Sequence, residues 1–313
     1  MMEHEIAEIL SRHGGVAAGV SIAGEVEESA WQTYLDWIAR GDHAGMEYMT
    51  RHSELRRNPS LLIENAESII SIAFPFKPTR FRNKERGMIA CYAYGDDYHD
   101  ALRKRLQEAA AEITTLFGGN HRICIDSAPV MERYWAVKSG IGSRGLSGAV
   151  IVPGAGSMVF LAEIITTLKL TPGVLFAHTT AGLTCDSCGV CRNRCPGKAI
   201  RPDGTVDSRR CISYLTIEHR GPWETADAMQ VMATPEGKDT IFGCDICLRA
   251  CHLNMDIVPS ELPELTPRDT VMNLGRGEIA GMTQEEFSRI FRGSPIKRCK
   301  LAGLKRNIGI KAE

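Results

Sequence analysis

The chain has 313 residues, 43% apolar and 24% charged, an ordinary balance for a globular protein with room for one large domain or two smaller ones. Its net charge of −1 excludes a global field that would draw it to nucleic acid or membrane. Any polyanion must be met by a local patch.

Residues 1–15 open on acids and carry no apolar run, so neither a signal peptide nor a twin-Arg signal is expected and the cytoplasm is the expected compartment. Helical periodicity runs through Glu28–Ala39 and again through Asp100–Thr115. Strand-like runs occur at Ser68–Phe74, Met88–Ala93, Arg122–Ile125 and Gly148–Val152, and Pro129–Ser139 reads as a helix. The weakly charged stretch Ala149–Ile165 is broken by Pro153, Gly154 and Gly156. It falls short of the roughly 20 apolar residues of a spanning helix, and reads as a buried strand, a turn and a buried helix start. Helices and strands alternate, so residues 1–175 are expected to form one α/β unit whose helices cover a sheet. Residues 176–255 are dense in cysteine and poor in apolar runs, which predicts a fold organised by metal. Residues 256–313 begin with Val258-Pro259, Leu262-Pro263 and Thr266-Pro267, continue through a helical signal at Thr283–Phe291 and end in a basic tail.

Eight of the 11 cysteines form one array. Cys185, Cys188, Cys191 and Cys195, followed by Pro196, spell C-x2-C-x2-C-x3-C-P, an iron–sulfur run whose fourth cysteine serves a second cluster. Cys211, Cys244, Cys247 and Cys251 complete two sets. The crossing rule assigns Cys185, Cys188, Cys191 and Cys251 to one 4Fe–4S cluster, and Cys195, Cys211, Cys244 and Cys247 to the other. Zinc is the competing metal, but its ligands usually come as separated C-x2-C pairs. His252 stands where Pro usually follows the last cysteine, either as a surface residue or as a hydrogen-bond donor to the cluster. Cys91, Cys124 and Cys299 are expected to be small buried hydrophobes.

Gly140–Gly145 fits G-x-G-x-x-G literally, but a dinucleotide loop needs a strand before it and a helix after it. Here a helix precedes and a strand follows, so nucleotide binding is not expected. Asp126 lies where the strand Arg122–Ile125 ends, a usual place for site residues in α/β folds. The competing reading is a helix cap before Pro129. Glu132 and Arg133, one turn on, read as a surface or hinge ion pair.

Several segments together resemble the epoxyqueuosine reductase family. They are Tyr92-Ala93-Tyr94-Gly95-Asp96-Asp97-Tyr98-His99, Ile125-Asp126-Ser127-Ala128-Pro129-Val130-Met131-Glu132-Arg133, Gly156-Ser157 with Phe160-Leu161-Ala162-Glu163, the cysteine array containing Arg210-Cys211-Ile212-Ser213-Tyr214, and Gly293-Ser294-Pro295-Ile296-Lys297-Arg298. The resemblance implies a nitroreductase-like, cobalamin-binding α/β domain followed by a bacterial-ferredoxin-like module with two 4Fe–4S clusters. It implies reduction of epoxyqueuosine to queuosine at the tRNA wobble position, with Asp126 as proton donor. It further implies cobalamin contacts at Arg56, Asp126, Val150, Ser157 and Ser213. An external flavodoxin- or ferredoxin-like protein or a small reductant is the expected electron donor.

Two departures stand near the implied site. The loop Gly142–Ser147 lacks the family's usual Trp and Lys, and Cys91 replaces a common Arg. Many members carry a C-terminal helical-repeat domain that helps grip tRNA, and none is expected here. Between Arg289 and Lys311 lie eight Lys or Arg and no acid, and Arg80, Arg82, Lys84 and Arg86 form a second cluster. Both are candidate contacts to RNA phosphates. The rival readings are a reductive dehalogenase-like cobalamin enzyme acting on a small molecule and a plain two-cluster electron carrier.

Overall fold

The computed structural model describes residues 1–177 and 184–310. Helix α1 (Met2–Arg12) leads into strand β1 (Ala17–Ile22) and helix α2 (Glu28–Ala39). Strand β2 (Ser68–Pro75), the two-residue β3 (Met88–Ile89), the long helix α3 (Tyr98–Phe117), β4 (His121–Cys124) and α4 (Glu132–Lys138) follow. A hairpin pairs Ser143–Arg144 with Val150–Ile151. The sheet is finished by β5 (Val159–Thr166) and β6 (Gly173–Ala177).

Five strands form one sheet in the order β4-β5-β2-β1-β6, antiparallel at every pairing. Alternation sorts its side chains. On one face Ile70, Ile72, Phe74, Phe160, Ala162 and Ile164 pack against α1 through Ile6, Ile9 and Leu10, and against α3 through Leu102, Leu106 and Ile113. On the other face Ile69 and Ile165 meet Trp31 of α2 and Trp135 of α4, while Ala17 and Ala73 meet Ala136. The mixed helix and strand class is as expected. One expectation fails: the segment read as a buried helix start is β5, which pairs with both β2 and β4. Its Ile164-Ile165-Thr166 run is β-branched, a shape that suits a pleated sheet better than a helix.

Beyond the sheet the elements shorten. Helices α5 (Val190–Arg194) and α6 (Ile212–Ile217), strand β7 (Thr240–Phe242) and helix α7 (Ile246–Arg249) carry or flank the cysteines. Only Ile212, Leu215, Ala228, Val231 and Met232 make up the buried apolar cluster there, too little to organise it alone. β7 pairs in parallel with β3, which ties this region to the N-terminal half. Helix α8 (Lys300–Asn307) closes the unit, with Asn307 Nδ2 donating to the carbonyls of Thr216 and Ile241. A second core spans Ile89, Tyr94, Phe242, Val271, Phe291 and Leu304. No helix among the described residues is long and apolar enough to cross a membrane.

Candidate functional site

β4 ends at Cys124, and the chain turns sharply so that Asp126 adopts a left-handed backbone (φ 50°). Asp tolerates this conformation better than most residues. The helix after it starts only at Glu132 with Met131 as its N-cap, so Asp126 does not cap it. The backbone N–H of Asp126 instead donates to Glu132 Oε1. Glu132 is therefore not half of a surface ion pair; it holds the turn that presents Asp126.

The Asp126 carboxylate accepts from Tyr98 Oη at 2.6 Å and lies 3.0 Å from His99 Nε2. His99 Nδ1 faces Asp97 Oδ1 at 2.7 Å. Asp97 also N-caps α3 by accepting from the His99 backbone N–H, which fixes where both carboxylates meet the imidazole. Burial disfavours the charged imidazole, but hydrogen bonds to Asp126 and Asp97 outweigh it and raise the His99 pKa to about 9. Burial pushes Asp126 up, yet the bonds from His99 and Tyr98 win and leave it below its usual value. At neutral pH the proton of this pair resides on His99. The Asp126 side chain remains 57% exposed although protein crowds it closely enough for burial to act on its charge, which marks a concave, solvent-open cleft. The Tyr98 ring stacks on Phe160 at 4.1 Å and meets the edge of Tyr92 at 6.0 Å, giving the cleft a rigid aromatic floor.

Two further carboxyls stand behind Asp126. Burial, then the charge of Asp126, raises the Glu132 pKa to about 8. Glu163 on β5 is fully buried, and neither of its oxygens has a hydrogen-bond partner among the described residues. Burial, with the charge of Glu132 adding, raises it well above the carboxylate range, so it is neutral. Its sheet neighbours are Ser71 and Cys124. The roles of Tyr98, His99 and Glu163 were missed in the sequence, although Asp97-x-His99 at a helix start was a usable signal.

The cysteines separate into two regions. Cys185, Cys188, Cys191 and Cys251 line one small cleft, together with His252, Gly145 and Ser157. Cys211 opens α6, Cys247 lies on α7, and Cys244 precedes α7. Burial raises the thiols of Cys211, Cys244 and Cys247, the last to about 12. Such thiols need a metal's positive charge to become thiolates. The Ala199 N–H donates to Cys195 Sγ at 3.3 Å, a contact that favours a ligated sulfur. Zinc requires its sulfurs about 2.3 Å from one point. Among the described residues no three Cys, His, Asp or Glu converge to hold a single ion. His252 is exposed, and Cys91, Cys124 and Cys299 are buried free thiols.

The remaining expected contacts come from separate segments of the chain. Arg56 is 8% exposed; its Nη2 donates to the Tyr48 carbonyl while its buried Nε has no partner. Ser213 is half-buried on α6 beside Cys211. Val150 is buried with Ile141, and the Ser157 N–H donates to Asn254 Oδ1 at 2.7 Å, on the Cys251 side. Of the second basic cluster, Arg82 is buried and donates to the carbonyls of Gly87, Val271 and Leu274, and Arg80 pairs with Asp269. Arg82 is thus structural rather than a phosphate contact. In the tail, Arg306 donates to the carbonyls of His219 and Leu215, and Arg298 pairs with Glu218. Arg289, Arg292, Lys297 and Lys300 are exposed, and Lys311 lies outside the described residues.

Residues 56–127 match the family model "Epoxyqueuosine reductase QueG, DUF1730", and residues 184–254 match a 4Fe-4S double cluster binding domain. The chain is 34% identical to the epoxyqueuosine reductase of Cyclobacterium marinum, covering 95% of this chain and 93% of that one. It is likewise 34% identical to that of Cellulophaga algicola, over 95% and 94%. The solved epoxyqueuosine reductase of Streptococcus thermophilus is 27% identical with a TM-score of 0.81, over 97% of this chain and 79% of that one. Another solved epoxyqueuosine reductase, with an epoxyqueuosine-modified tRNA-Tyr stem loop, shares the fold at TM-score 0.84 and 24% identity, over the same 97% and 79%.

Proposed function

The chain belongs to the epoxyqueuosine reductase family, and from that premise we propose that it converts epoxyqueuosine at the wobble position of tRNA to queuosine, with two 4Fe–4S clusters and cobalamin as cofactors and Asp126 as proton donor. It is an oxidoreductase with a 4Fe–4S double-cluster domain. Removing the epoxide oxygen to leave an alkene consumes two electrons and two protons and releases water. The observation that carries the proposal is the Asp126–His99–Tyr98 group, a proton-holding set at the floor of an open cleft.

The chain's donor set fits a corrinoid. The buried Nε of Arg56 lacks an acceptor, as expected where a ligand rich in amide and phosphate oxygens supplies one. Arg56, Asp126, Val150, Ser157 and Ser213 would hold it. When bound, cobalamin supplies the reducible metal at which the epoxide C–O bond is broken.

The protein's own part is the proton. An alkoxide leaves poorly, so protonation must accompany C–O cleavage. His99 carries the proton at neutral pH and shares it with Asp126 across 3.0 Å. Asp126 is the exposed member and reaches the substrate oxygen. Tyr98, braced by Phe160, keeps the carboxylate aimed. The substrate is RNA, and the exposed cations of the tail suit its phosphates. Sequence-specific chemistry on an RNA base calls for an unstacked base, here an anticodon base entering the cleft. Electrons come from an external donor.

The test is Asp126→Ala in anaerobically reconstituted protein. Iron, sulfide and cobalamin should stay bound while turnover falls by about 10² to 10⁴. Undiminished turnover removes Asp126 from the role.

A further inference from the structure

The two cysteine sets differ in depth. Cys188 is the exposed cysteine among the described residues. The other set leads inward. Asp245, next to Cys244, is buried and accepts from the Cys91 N–H. Tyr92 then packs between Phe242 and Tyr98, and Tyr98 bonds Asp126. The set with Cys188 is therefore the outer pole of the wire, and the set with Cys244 the inner one.

Around the outer pole the surface is basic. Arg192 and Arg194 are exposed on α5, which also carries Cys191, and the exposed Lys198 follows Cys195 by three residues. Arg192 and Lys198 line a shallow, open cleft with Asn193, Ile200, Arg201 and Pro202. One exposed carboxylate, Asp186, lies among the outer cysteines and accepts from the Cys188 N–H at 3.0 Å; the acids nearer the cations are engaged. Asp203 accepts from Thr205, while Asp42 and Asp207 bind Arg201 and Arg209. Among the described residues no carboxylate pairs with Arg192, Arg194 or Lys198, and Lys198 Nζ reaches only the Asn193 carbonyl at 3.0 Å. Exposed and without carboxylate partners, these three cations are free to meet an acidic partner.

We propose that the α5 face bearing Arg192, Arg194 and Lys198 is the docking surface for an acidic single-electron carrier protein, which reduces the outer cluster there. This rests on the reading of the cysteines as a two-cluster wire. Charge complementarity argues for the occupant: opposite charge speeds encounter without requiring a large interface, and redox encounters are small and transient. In each encounter the carrier, for example a flavin hydroquinone becoming a semiquinone, loses one electron, and one oxidised cluster gains it.

The experiment uses cluster-loaded full chain and reduced flavodoxin as the acidic carrier. Bleaching of the cluster absorbance is followed by stopped flow, and binding of oxidised flavodoxin by calorimetry. The triple variant Arg192→Glu, Arg194→Glu, Lys198→Glu should lose at least tenfold in second-order rate at low salt and should lose measurable binding. Photoreduced deazaflavin, small and neutral, should reduce wild type and variant alike. A milder triple Gln variant covers the case in which charge reversal prevents cluster assembly, and rising salt should slow the wild type by the same mechanism. An unchanged flavodoxin rate and binding would overturn the inference while leaving the wire intact. Loss of tRNA affinity with an unchanged flavodoxin rate would assign the face to RNA and also overturn it. Wild-type protein that assembles no clusters, or whose clusters accept electrons from neither reductant, would sink the wire itself.

Discussion

A carboxylate beside an imidazole can hold a proton in two places, and here the surroundings choose the imidazole. Both ring nitrogens of His99 face carboxylates, so its charged form persists to about pH 9. His99 is thus charged below that pH and loses its proton above it. The kcat/KM profile should fall on the alkaline side with a midpoint near 9, and His99→Gln should lower activity and erase that limb. An alkaline limb that persists in His99→Gln would move the proton elsewhere. Glu163 offers a second test. Its folded pKa lies well above the unfolded value of 4.5, so the folded state binds more protons than the unfolded one. That contribution is complete below about pH 4.5 and is lost as pH rises through the carboxyl's raised value. Glu163→Gln should therefore flatten the decline of the urea midpoint between about pH 5 and 8. Parallel curves for wild type and variant would show that Glu163 is already ionised.

At the scale of elements, some features were legible and others were hidden. α2 spans the residues its periodicity predicts, because a clear amphipathic run needs no tertiary context. The Asp126 turn was legible as a β-run broken before a proline, but its partners were not. Tyr98 and His99 are 28 and 27 residues away, and only the sheet-on-helix packing brings them there. β5 was misread because Phe160-Leu161-Ala162-Glu163 looks helical, while pairing on both edges decides its state. The Arg80–Arg86 block looked like surface charge because sequence carries no record of the carbonyls that Arg82 satisfies. The Cys195 and Cys211 arms show how closely backbone packs in the metal region. A Cβ on Gly197 would collide with the Arg210 carbonyl one residue before Cys211. Gly197→Ala should therefore spread these arms and lower iron toward about half of the eight atoms that two 4Fe–4S clusters hold, the inner site being lost first. Full iron content with unchanged thermal stability in Gly197→Ala would show that the arms yield freely.

Across the whole molecule, the sheet, the cysteine region and the C-terminal segment share one core. Ile89, Phe242 and Leu304 meet in it, and Asn307 binds carbonyls on two of its walls. That common core ties β7, which leads into Cys244, to the segment that carries Tyr92 and Tyr98. The chain's near-zero net charge leaves recognition to local patches; on the proposed function the exposed cations of the tail would meet RNA and those of α5 an acidic protein. The most direct measurement is nucleoside mass spectrometry of tRNA carrying epoxyqueuosine, after anaerobic incubation with cluster-loaded protein and reductant, with and without cobalamin. The account predicts queuosine only when cobalamin is present, at two electrons consumed per nucleoside. Queuosine formed equally well without cobalamin, or none formed by fully loaded protein, would contradict it.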